Sequence, residues 1–367
     1  MASTPLQQLA EHGQSVWIDY LSRSLVQDGD LQGLIDQGIV GVTSNPTIFQ
    51  GAIADGEDYD DQIREEAARS KEPKDIFLAL AREDIRGACD LLKQVWDGTD
   101  GKDGWVSLEV DPNYANDTQA TIDEASNLHA MIERDNVYIK IPATKEGLPA
   151  IEETIASGIP VNVTLIFSLE RHREVAEAYI RGIKRLIDGG GDPTHVPSVA
   201  SFFVSRVDTE ADKRLDEVGG HDELKGKLAI ANAKLAYQTY REVFSGSDWE
   251  ALAEKGANPQ RCLWASTSTK NPDYRDILYV EELVGPDTVD TMPRETVEAV
   301  LDHGEIRPSL EEDLEGAKKT MQAFEEAGIS YDEVVETLER EGVEKFAKSF
   351  RDLFSHLESK RDALVAA

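Results

Sequence analysis

Short apolar runs alternate with charged stretches of helical periodicity along most of the chain. In TQATIDEASNLHAMIER, for example, Ile122, Ala125 and Ile132 fall close to one stripe of a helix. The repeated order of strand and helix predicts parallel strand pairing with right-handed crossovers. Eight runs have the length and β-branched content of strands: VWID (16–19), GVTSN (41–45), WVSLEV (105–110), VYIKI (137–141), VNVTLIF (161–167), SVASFFV (198–204), CLWAST (262–267) and VDTM (289–292).

Eight strand–helix units predict a closed (β/α)₈ barrel, the TIM-barrel form of the α/β class. Charged helical sequence after residue 305 predicts additional C-terminal helices packed on this barrel. No Pro/Gly/Ser-rich linker divides the chain, so we expect residues 1–367 to form a single barrel domain. An open doubly wound sheet is the alternative architecture, although no GxGxxG turn follows an early strand.

The polar residues of these strands share one face. Side chains alternate along a strand, so Val137, Ile139 and Ile141 point one way and Lys140 points the other. In a barrel, uniformly apolar faces should pack against the helices, and the polar face should line the lumen near the C-terminal strand ends, where barrel enzymes carry out their chemistry. The polar residues expected to converge there are Asp19, Asn45, Glu109, Lys140, Asn162, Thr164 and Ser201.

This set suits Schiff-base chemistry. Burial disfavours the charged form of Lys140, and a neutral amine can attack a carbonyl to form an iminium that acts as an electron sink. Asp19 is expected to take the proton from a substrate hydroxyl while a C–C bond breaks. Glu109 and Thr164, acting through a water, are expected to carry the protons of carbinolamine formation and dehydration. The remaining amides and hydroxyls can bind substrate hydroxyls: Asn45, Asn162 and Ser201.

The overall charge is extreme, with 38 Lys+Arg against 71 Asp+Glu and a net charge of −33. Such a surface repels nucleic acid and anionic membranes, and it suits a salty cytoplasm. Cations near the barrel mouth are therefore informative. Arg206 follows the sixth strand and Lys270 the seventh, where loops of barrels often bind phosphate. At this point each of the two residues is expected either to bind a substrate phosphate or to form a surface ion pair.

Features of other protein classes are missing from the sequence. Cys89 and Cys262 form no spacing motif, so neither a metal site nor a disulfide framework is predicted. The N-terminal MASTPLQQLAEHGQ lacks the pattern of a signal peptide, and no apolar run approaches the ~18 residues of a membrane helix. We therefore expect a cytoplasmic location.

Six motifs, in the order in which they occur, resemble those of the transaldolase family, and in particular its longer bacterial branch. They are TSNPTIF (43–49), SLEVDP (107–112), YIKIPAT (138–144), NVTLIFS (162–168), SFFVSRVD (201–208) and WASTSTKNP (264–272). The resemblance implies a barrel that transfers a dihydroxyacetone unit from sedoheptulose 7-phosphate to glyceraldehyde 3-phosphate. The products are erythrose 4-phosphate and fructose 6-phosphate, in the non-oxidative pentose phosphate pathway. It also implies a monomer or homodimer that uses no metal or organic cofactor.

The resemblance also assigns roles to residues. The Schiff-base lysine matches Lys140, and the other catalytic positions match Asp19, Glu109 and Thr164. The substrate-binding positions match Asn45, Asn162, Ser201, Phe203 and Arg206. One position departs from many relatives, which have an arginine where this chain has Lys270. A lysine still binds phosphate, but as a point charge without the bidentate fork of arginine.

Other functions remain open at this point. Related aldolases cleave fructose 6-phosphate to dihydroxyacetone and glyceraldehyde 3-phosphate, but they are much shorter and tend to have a tyrosine at the position of Phe203. A lysine that holds pyridoxal phosphate and a non-catalytic barrel are the remaining alternatives. Outside the motifs, Trp17, Trp105 and Trp264 are expected in the core or lumen, and His129 in helix packing or at the surface. Arg23, after the first strand, could reach a phosphate, but it is expected at the surface.

Overall fold

The computed structural model describes residues 3–54 and 56–366. Each of its eight parallel strands pairs with the next in chain order, and β8 pairs with β1, so the sheet closes. The TIM-barrel prediction is thereby confirmed. The strands are β1 (Gln14–Ile18), β2 (Gly41–Val42), β3 (Trp105–Glu109), β4 (Val137–Pro142), β5 (Val161–Ile166), β6 (Ser198–Phe203), β7 (Arg261–Ala265) and β8 (Thr288–Met292).

Helices surround this barrel, and none in the described part of the chain is long and apolar enough to cross a membrane. Two short 3₁₀ helices span Pro112–Tyr114 and Asp222–Leu224. The α-helices are α1 (Pro5–Glu11), α2 (Arg23–Gln27), α3 (Asp30–Gln37), α4 (Pro46–Ala54), α5 (Asp60–Ala67), α6 (Pro73–Gly98), α7 (Thr118–Ile132), α8 (Gly147–Ala156), α9 (Leu169–Asp188), α10 (Ser205–Val218), α11 (Leu228–Val243), α12 (Ser247–Ala253), α13 (Leu278–Glu282), α14 (Arg294–His303), α15 (Leu314–Glu326) and α16 (Tyr331–Ala366).

Aromatic side chains fill the middle of the lumen. The rings of Trp105 and Tyr138 stack with centroids 4.3 Å apart, and Trp17 lies 6.1 Å from Tyr138. Gly41 leaves room for this layer, because a Cβ at that position would lie 2.6 Å from the Trp17 indole. These rings close the barrel beneath the C-terminal strand ends, which leaves the upper lumen for polar groups.

The outer faces of the strands are not uniformly apolar, so that expectation is wrong at β8. Asp290 is fully buried beside Trp264 of β7, on the face opposite the lumen residue Thr291. The Thr267 hydroxyl donates a hydrogen bond of 2.8 Å to Oδ1 of this carboxyl, whereas Oδ2 has no hydrogen-bond partner in the described part of the chain. Burial also raises the pKa of Asp290 to about 7, which keeps the neutral form accessible.

The long C-terminal helix α16 crosses the C-terminal end of the barrel. It packs on α4, α5, α6 and α10 and on the end of β5. The Thr47 hydroxyl, in the first turn of α4, donates to Ser349 at 2.9 Å, and Lys360 pairs with Asp60 at 2.9 Å. The predicted C-terminal helices are therefore present, and the last of them forms part of the roof over the upper lumen.

Candidate active site

Lys140 lies in β4 with only 4% of its surface exposed. Its ammonium donates to the Ser44 carbonyl at 3.2 Å and lies 3.5 Å from Oε2 of Glu109. The parallel register pairs Glu109 of β3 with Lys140, and so brings the two side chains to the same level of the lumen. The predicted catalytic lysine and glutamate are thus direct neighbours.

Glu109 has an environment suited to proton transfer near neutral pH. Burial raises its pKa to about 7, and this effect outweighs the opposing influence of the Lys140 charge. The nearby carboxylate of Asp19 raises the pKa further, although by less. A carboxyl group with a pKa near the working pH can both donate and accept protons during a reaction cycle.

Asp19 directly follows β1 and lines the same cavity. Its Oδ1 accepts a hydrogen bond of 2.6 Å from the Thr43 hydroxyl, which lies 2.7 Å from the hydroxyl of Thr291. Sequence reasoning missed these two threonines as supports for the aspartate. For Thr291 the sequence did contain an indication. Side chains alternate along VDTM, which places Val289 and Thr291 on the same face of the strand, the lumen face.

A chain of hydrogen bonds holds Asn162 across three strands. Its amide nitrogen donates to the Ser107 hydroxyl at 3.1 Å, and the Ser201 hydroxyl donates to its carbonyl oxygen at 2.7 Å. Ser201 therefore fixes Asn162 in addition to facing the cavity.

Thr164 is fully buried, and its hydroxyl has no hydrogen-bond partner in the described part of the chain. This position suits a group that orients a water in the reaction, because a buried hydroxyl without a partner is otherwise unfavourable. The next residue, Leu165, has a positive φ of 59°, and the pairing of β5 with β6 shifts between Val163 and Ile166. Such a bulge can redirect side chains next to an active site.

Asn45 has a structural role as well as the predicted one. Its side-chain oxygen accepts hydrogen bonds from the backbone N–H groups of Thr47 and Ile48, at 3.0 and 3.1 Å. It thereby caps α4, in which Pro46 occupies the first position. The side-chain nitrogen of Asn45 carries none of these bonds, so it can donate to a substrate in the cavity that Asn45 lines.

These groups surround a cavity of about 210 Å³ at the C-terminal end of the barrel. Seven predicted residues line it, and the other three, Glu109, Asn162 and Thr164, lie buried beside them. The structure therefore brings all ten together. The lining comprises Asp19, Thr43, Asn45, Lys140, Ser201, Phe203, Arg206, Ala265, Ser266, Ser268, Lys270, Thr291, Pro293, Lys345 and Phe346.

The two predicted phosphate ligands lie at this cavity. Arg206, in the first turn of α10, has its guanidinium carbon 4.7 Å from the centroid of the Phe203 ring. Lys270, in the loop after β7, donates to the Ser268 hydroxyl at 2.5 Å. Neither cation forms an ion pair with a carboxylate of the described residues. The N-terminus of α10 adds the positive end of a helix dipole, which also favours an anion.

Two cavity residues, Lys345 and Phe346, come from α16 and were missed by the sequence analysis. The six motifs end well before α16, and nothing in the sequence of that amphipathic helix indicates which turn lies over the barrel mouth. Their place depends on tertiary packing.

The surface position expected for Arg23 is wrong, because this residue is buried. It forms an ion pair with the fully buried Asp84 of α6, and its guanidinium carbon lies 4.9 Å from the ring centroid of Tyr59. The physical reason is that the buried carboxylate requires a cation. His129 is half-buried on α7, and Trp17 and Trp105 lie in the lumen, as predicted.

The fold and the site together define a class of protein. A buried amine beside a carboxyl with a pKa of about 7, with a second carboxylate and two cations lining the same cavity, suits a barrel enzyme that forms Schiff bases with phosphorylated carbonyl compounds. In the described residues, no group of three or more His, Cys, Asp or Glu side chains is arranged to hold a metal ion.

Comparison with known proteins identifies the family. Residues 16–357 match the model of the transaldolase/fructose-6-phosphate aldolase family. The chain is 53% identical to a transaldolase of Acidothermus cellulolyticus over 352 residues, which cover 95% of each protein. It is 51% identical to a transaldolase of Thermobifida fusca, with 96% of this chain and 97% of the relative covered. For a transaldolase of Renibacterium salmoninarum the identity is 49%, with 100% and 98% covered. The chain belongs to the transaldolase/fructose-6-phosphate aldolase family.

Proposed function

We propose that the protein is a transaldolase. It transfers a dihydroxyacetone unit from sedoheptulose 7-phosphate to glyceraldehyde 3-phosphate, and yields erythrose 4-phosphate and fructose 6-phosphate. The observation that carries this proposal is the buried Lys140, 3.5 Å from Glu109, at a cavity with free cations on its edge. Relatives named transaldolase, about half identical over nearly the whole chain, support it.

The reaction begins with the amine of Lys140, which attacks the C2 carbonyl of the ketose phosphate and forms a carbinolamine. Loss of water from this adduct gives the iminium. Glu109 is placed to give a proton to the departing hydroxyl through a water bound near Thr164, because its pKa of about 7 makes both protonation states available. The same groups act in reverse when the product iminium is hydrolysed.

Cleavage of the C3–C4 bond follows. Asp19 takes the proton from the C4 hydroxyl, the electrons of the C3–C4 bond move into the iminium, and the shortened aldose phosphate leaves. The remaining enamine stays bound to Lys140 and attacks the aldehyde carbon of the acceptor. Asp19 then returns its proton to the new hydroxyl. Thr43 keeps the carboxylate of Asp19 in place throughout, through the hydrogen bond of 2.6 Å.

Binding of the substrates is divided along the cavity. We expect Asn45, Asn162 and Ser201 to hold the hydroxyls of the three-carbon unit near Lys140. Arg206 and Lys270, which line the cavity, are expected to bind the phosphate at the other end of the substrate. This arrangement anchors donor and acceptor alike, because each carries a phosphate distant from its reacting carbon.

Transfer, as opposed to simple cleavage, requires that the enamine wait for an acceptor. Phe203 lines the cavity, and its ring has no hydroxyl that could orient a water to protonate the enamine. We therefore expect little free dihydroxyacetone from fructose 6-phosphate alone, and rapid turnover once erythrose 4-phosphate is added. Appreciable release of dihydroxyacetone without an acceptor would instead indicate a fructose 6-phosphate aldolase.

The cellular setting is part of the same proposal. The reaction belongs to the non-oxidative pentose phosphate pathway, in the cytoplasm. Its partners are phosphorylated sugars, with no role for nucleic acid or membranes, and the protein is a monomer or homodimer. A surface with a net charge of −33 fits this assignment, since it would repel nucleic acid and anionic lipid.

Borohydride trapping tests the central step. The protein is incubated with fructose 6-phosphate, glyceraldehyde 3-phosphate is removed enzymatically, and the mixture is reduced and examined by intact-protein and peptide mass spectrometry. We expect a reduced three-carbon adduct on Lys140. Lys140→Met should abolish the adduct, whereas Lys145→Met, a change at an exposed lysine beyond β4, should not. A folded protein without an adduct on Lys140 would exclude the mechanism.

A further inference from the structure

The C-terminal helix α16 brings a third cation to the substrate cavity. We propose that Lys345 of α16 binds the substrate phosphate together with Arg206 and Lys270. This inference rests on the proposed function, and it adds a residue to the site from outside the eight strand–loop units. The three cations come from three separate parts of the chain: the start of α10, the loop after β7 and the middle of α16.

The cavity geometry is the first support. Lys345 lines the same cavity as Lys140, Arg206 and Lys270. Its helix is held over the barrel mouth on both sides, by Gly342 against Leu165 of β5 and by the hydrogen bond between Ser349 and Thr47. The position of Lys345 is therefore set by the fold, although its side chain remains exposed at the rim.

The pattern of charge pairing is the second support. Lys348 and Lys360 of the same helix each pair with a carboxylate, Asp352 at 2.7 Å and Asp60 at 2.9 Å. Arg340 and Arg351 of this helix also form no ion pair within the described residues, but they do not line the cavity. Within the described residues, Lys345, Arg206 and Lys270 have no such partner, even though carboxylates outnumber cations almost two to one in the sequence. Three neighbouring cations without carboxylates repel one another, and an anionic ligand bound between them would relieve that repulsion.

The effect of Arg206 and Lys270 on the pKa of Lys345 is consistent with a shared anion site. Arg206 lowers the pKa of Lys345, with smaller contributions from burial and from Lys270. A phosphate dianion bound between the three side chains would reverse this repulsion. One planar guanidinium and two ammonium groups would then share its oxygens.

The neighbouring Phe346 fixes the position of Arg206. The guanidinium carbon of Arg206 lies 4.7 Å from the ring centroid of Phe203 and 5.8 Å from that of Phe346. The guanidinium is therefore flanked by one ring from β6 and one from α16. This arrangement limits its movement without using its N–H groups, which stay available for phosphate. Thus α16 both contributes a cation and positions another.

Steady-state kinetics of Lys345→Gln tests the proposal, with Lys348→Gln as the matched control on the same helix. Fructose 6-phosphate is held at saturation, and the acceptor is either erythrose 4-phosphate or unphosphorylated erythrose. For Lys345→Gln we expect KM for erythrose 4-phosphate to rise about tenfold, because a charged hydrogen bond is lost. We expect kcat/KM for erythrose to change less than twofold, and Lys345→Arg to restore most of the affinity.

The outcomes separate this inference from the function on which it rests. A wild-type protein that does not form the Lys140 adduct would contradict the proposed function itself. An active wild type, with Lys345→Gln indistinguishable from Lys348→Gln, would overturn only the role of Lys345. Equal losses with both acceptors would also overturn it, because a purely structural role does not distinguish a phosphorylated from an unphosphorylated substrate. Inhibition by inorganic phosphate gives an independent readout, and should weaken in Lys345→Gln alone.

Discussion

Glu109 and Asp290 are both buried carboxyl groups with a pKa raised to about 7, and burial is the main cause in each case. Their surroundings differ. Glu109 faces the lumen and the ammonium of Lys140, whereas Asp290 lies on the outer face of β8 and accepts a hydrogen bond from Thr267. We therefore expect a similar pKa to serve catalysis at Glu109 and to affect only stability at Asp290, and the two effects can be measured separately.

The first prediction concerns Glu109→Gln. If Glu109 must be protonated when the carbinolamine loses water, kcat/KM of the wild type should decline as the pH rises through about 7. In Glu109→Gln this decline of kcat/KM with rising pH should be absent, and kcat/KM at pH 6 should be about 10²–10³-fold lower than in the wild type. Glu146→Gln, an exposed glutamate beyond β4, is the control. If kcat/KM of Glu109→Gln declines with pH as in the wild type, a group other than Glu109 is responsible for the decline.

The second prediction concerns Asp290→Asn. In the folded protein the pKa of Asp290 is raised from 3.8 to about 7, so the folded state holds a proton that the unfolded chain has released. The free energy of unfolding should therefore decline as the pH rises from about 4 to 7, by on the order of 3 kcal/mol from this group. Asp290→Asn should remove that part of the decline, as measured by urea unfolding between pH 4.5 and 8.

The matched control for this experiment is Asp287→Asn, which alters an exposed carboxylate just before β8. Asp208, another buried carboxyl with a pKa of about 7, remains in every variant, so its contribution cancels in the comparison. Parallel pH profiles of wild type and Asp290→Asn would mean that the carboxyl is not held neutral in the folded state.

All ten candidate site residues could be identified from the sequence. The shared polar face of the strands and the resemblance agree on seven of them, the place of the cations after two strands indicated Arg206 and Lys270, and Phe203 came from the resemblance alone. Arg23 shows what could not be predicted from the sequence. Its burial depends on Asp84, a partner on α6 far along the chain, and nothing local predicts that contact. Lys345 was missed for the same reason, since which turn of α16 lies over the cavity is decided by packing on β5 and α4.

The strands were predicted to within two residues at nearly every end. β2 is the exception, because only Gly41–Val42 of the predicted 41–45 is strand. Past Val42, the Ser44 hydroxyl bonds the Ser107 carbonyl, and Asn45 turns to cap α4. The cap and the polar side chains therefore end the strand, in a segment whose β-branched residues suggested that it would continue.

The third prediction tests the contact between α16 and β5. A Cβ at Gly342 would lie 3.1 Å from Cδ2 of Leu165, the residue of positive φ that follows Thr164. Gly342→Val should push α16 away from the barrel. We expect a loss of roughly 1–3 kcal/mol in the free energy of unfolding, from overpacking. We also expect a lower kcat/KM, because Thr164, Lys345 and Phe346 are displaced together.

Gly33→Ala is the control for helix propensity, because Gly33 lies inside α3 and a Cβ there meets nothing within 4 Å. It should be neutral or slightly stabilising, by up to about 1 kcal/mol. If Gly342→Val is as stable and active as the wild type, then α16 is not tightly coupled to the end of β5.

At the scale of the whole molecule, the net charge of the surface opposes the binding of an anion at the proposed phosphate site. With 71 acidic and 38 basic side chains, many carboxylates have no cation to pair with, so the surface is self-repelling at low salt. The same surface repels an incoming sugar phosphate. The free cations Arg206, Lys270 and Lys345 at the cavity provide local attraction within this negative field.

The fourth prediction is that salt changes stability and substrate affinity in opposite directions. The Debye length falls from about 10 Å at 0.1 M to about 3 Å at 1 M salt, so added KCl screens both the surface repulsion and the attraction at the cavity. The urea midpoint of unfolding should rise between these concentrations, while KM for erythrose 4-phosphate should also rise. Chloride is the appropriate anion, because sulfate promotes burial in general and would compete for the phosphate site. A urea midpoint that falls as KCl is added would contradict the hypothesis of a salt-adapted protein. It would mean that the screening of attractive ion pairs outweighs the screening of repulsion between carboxylates.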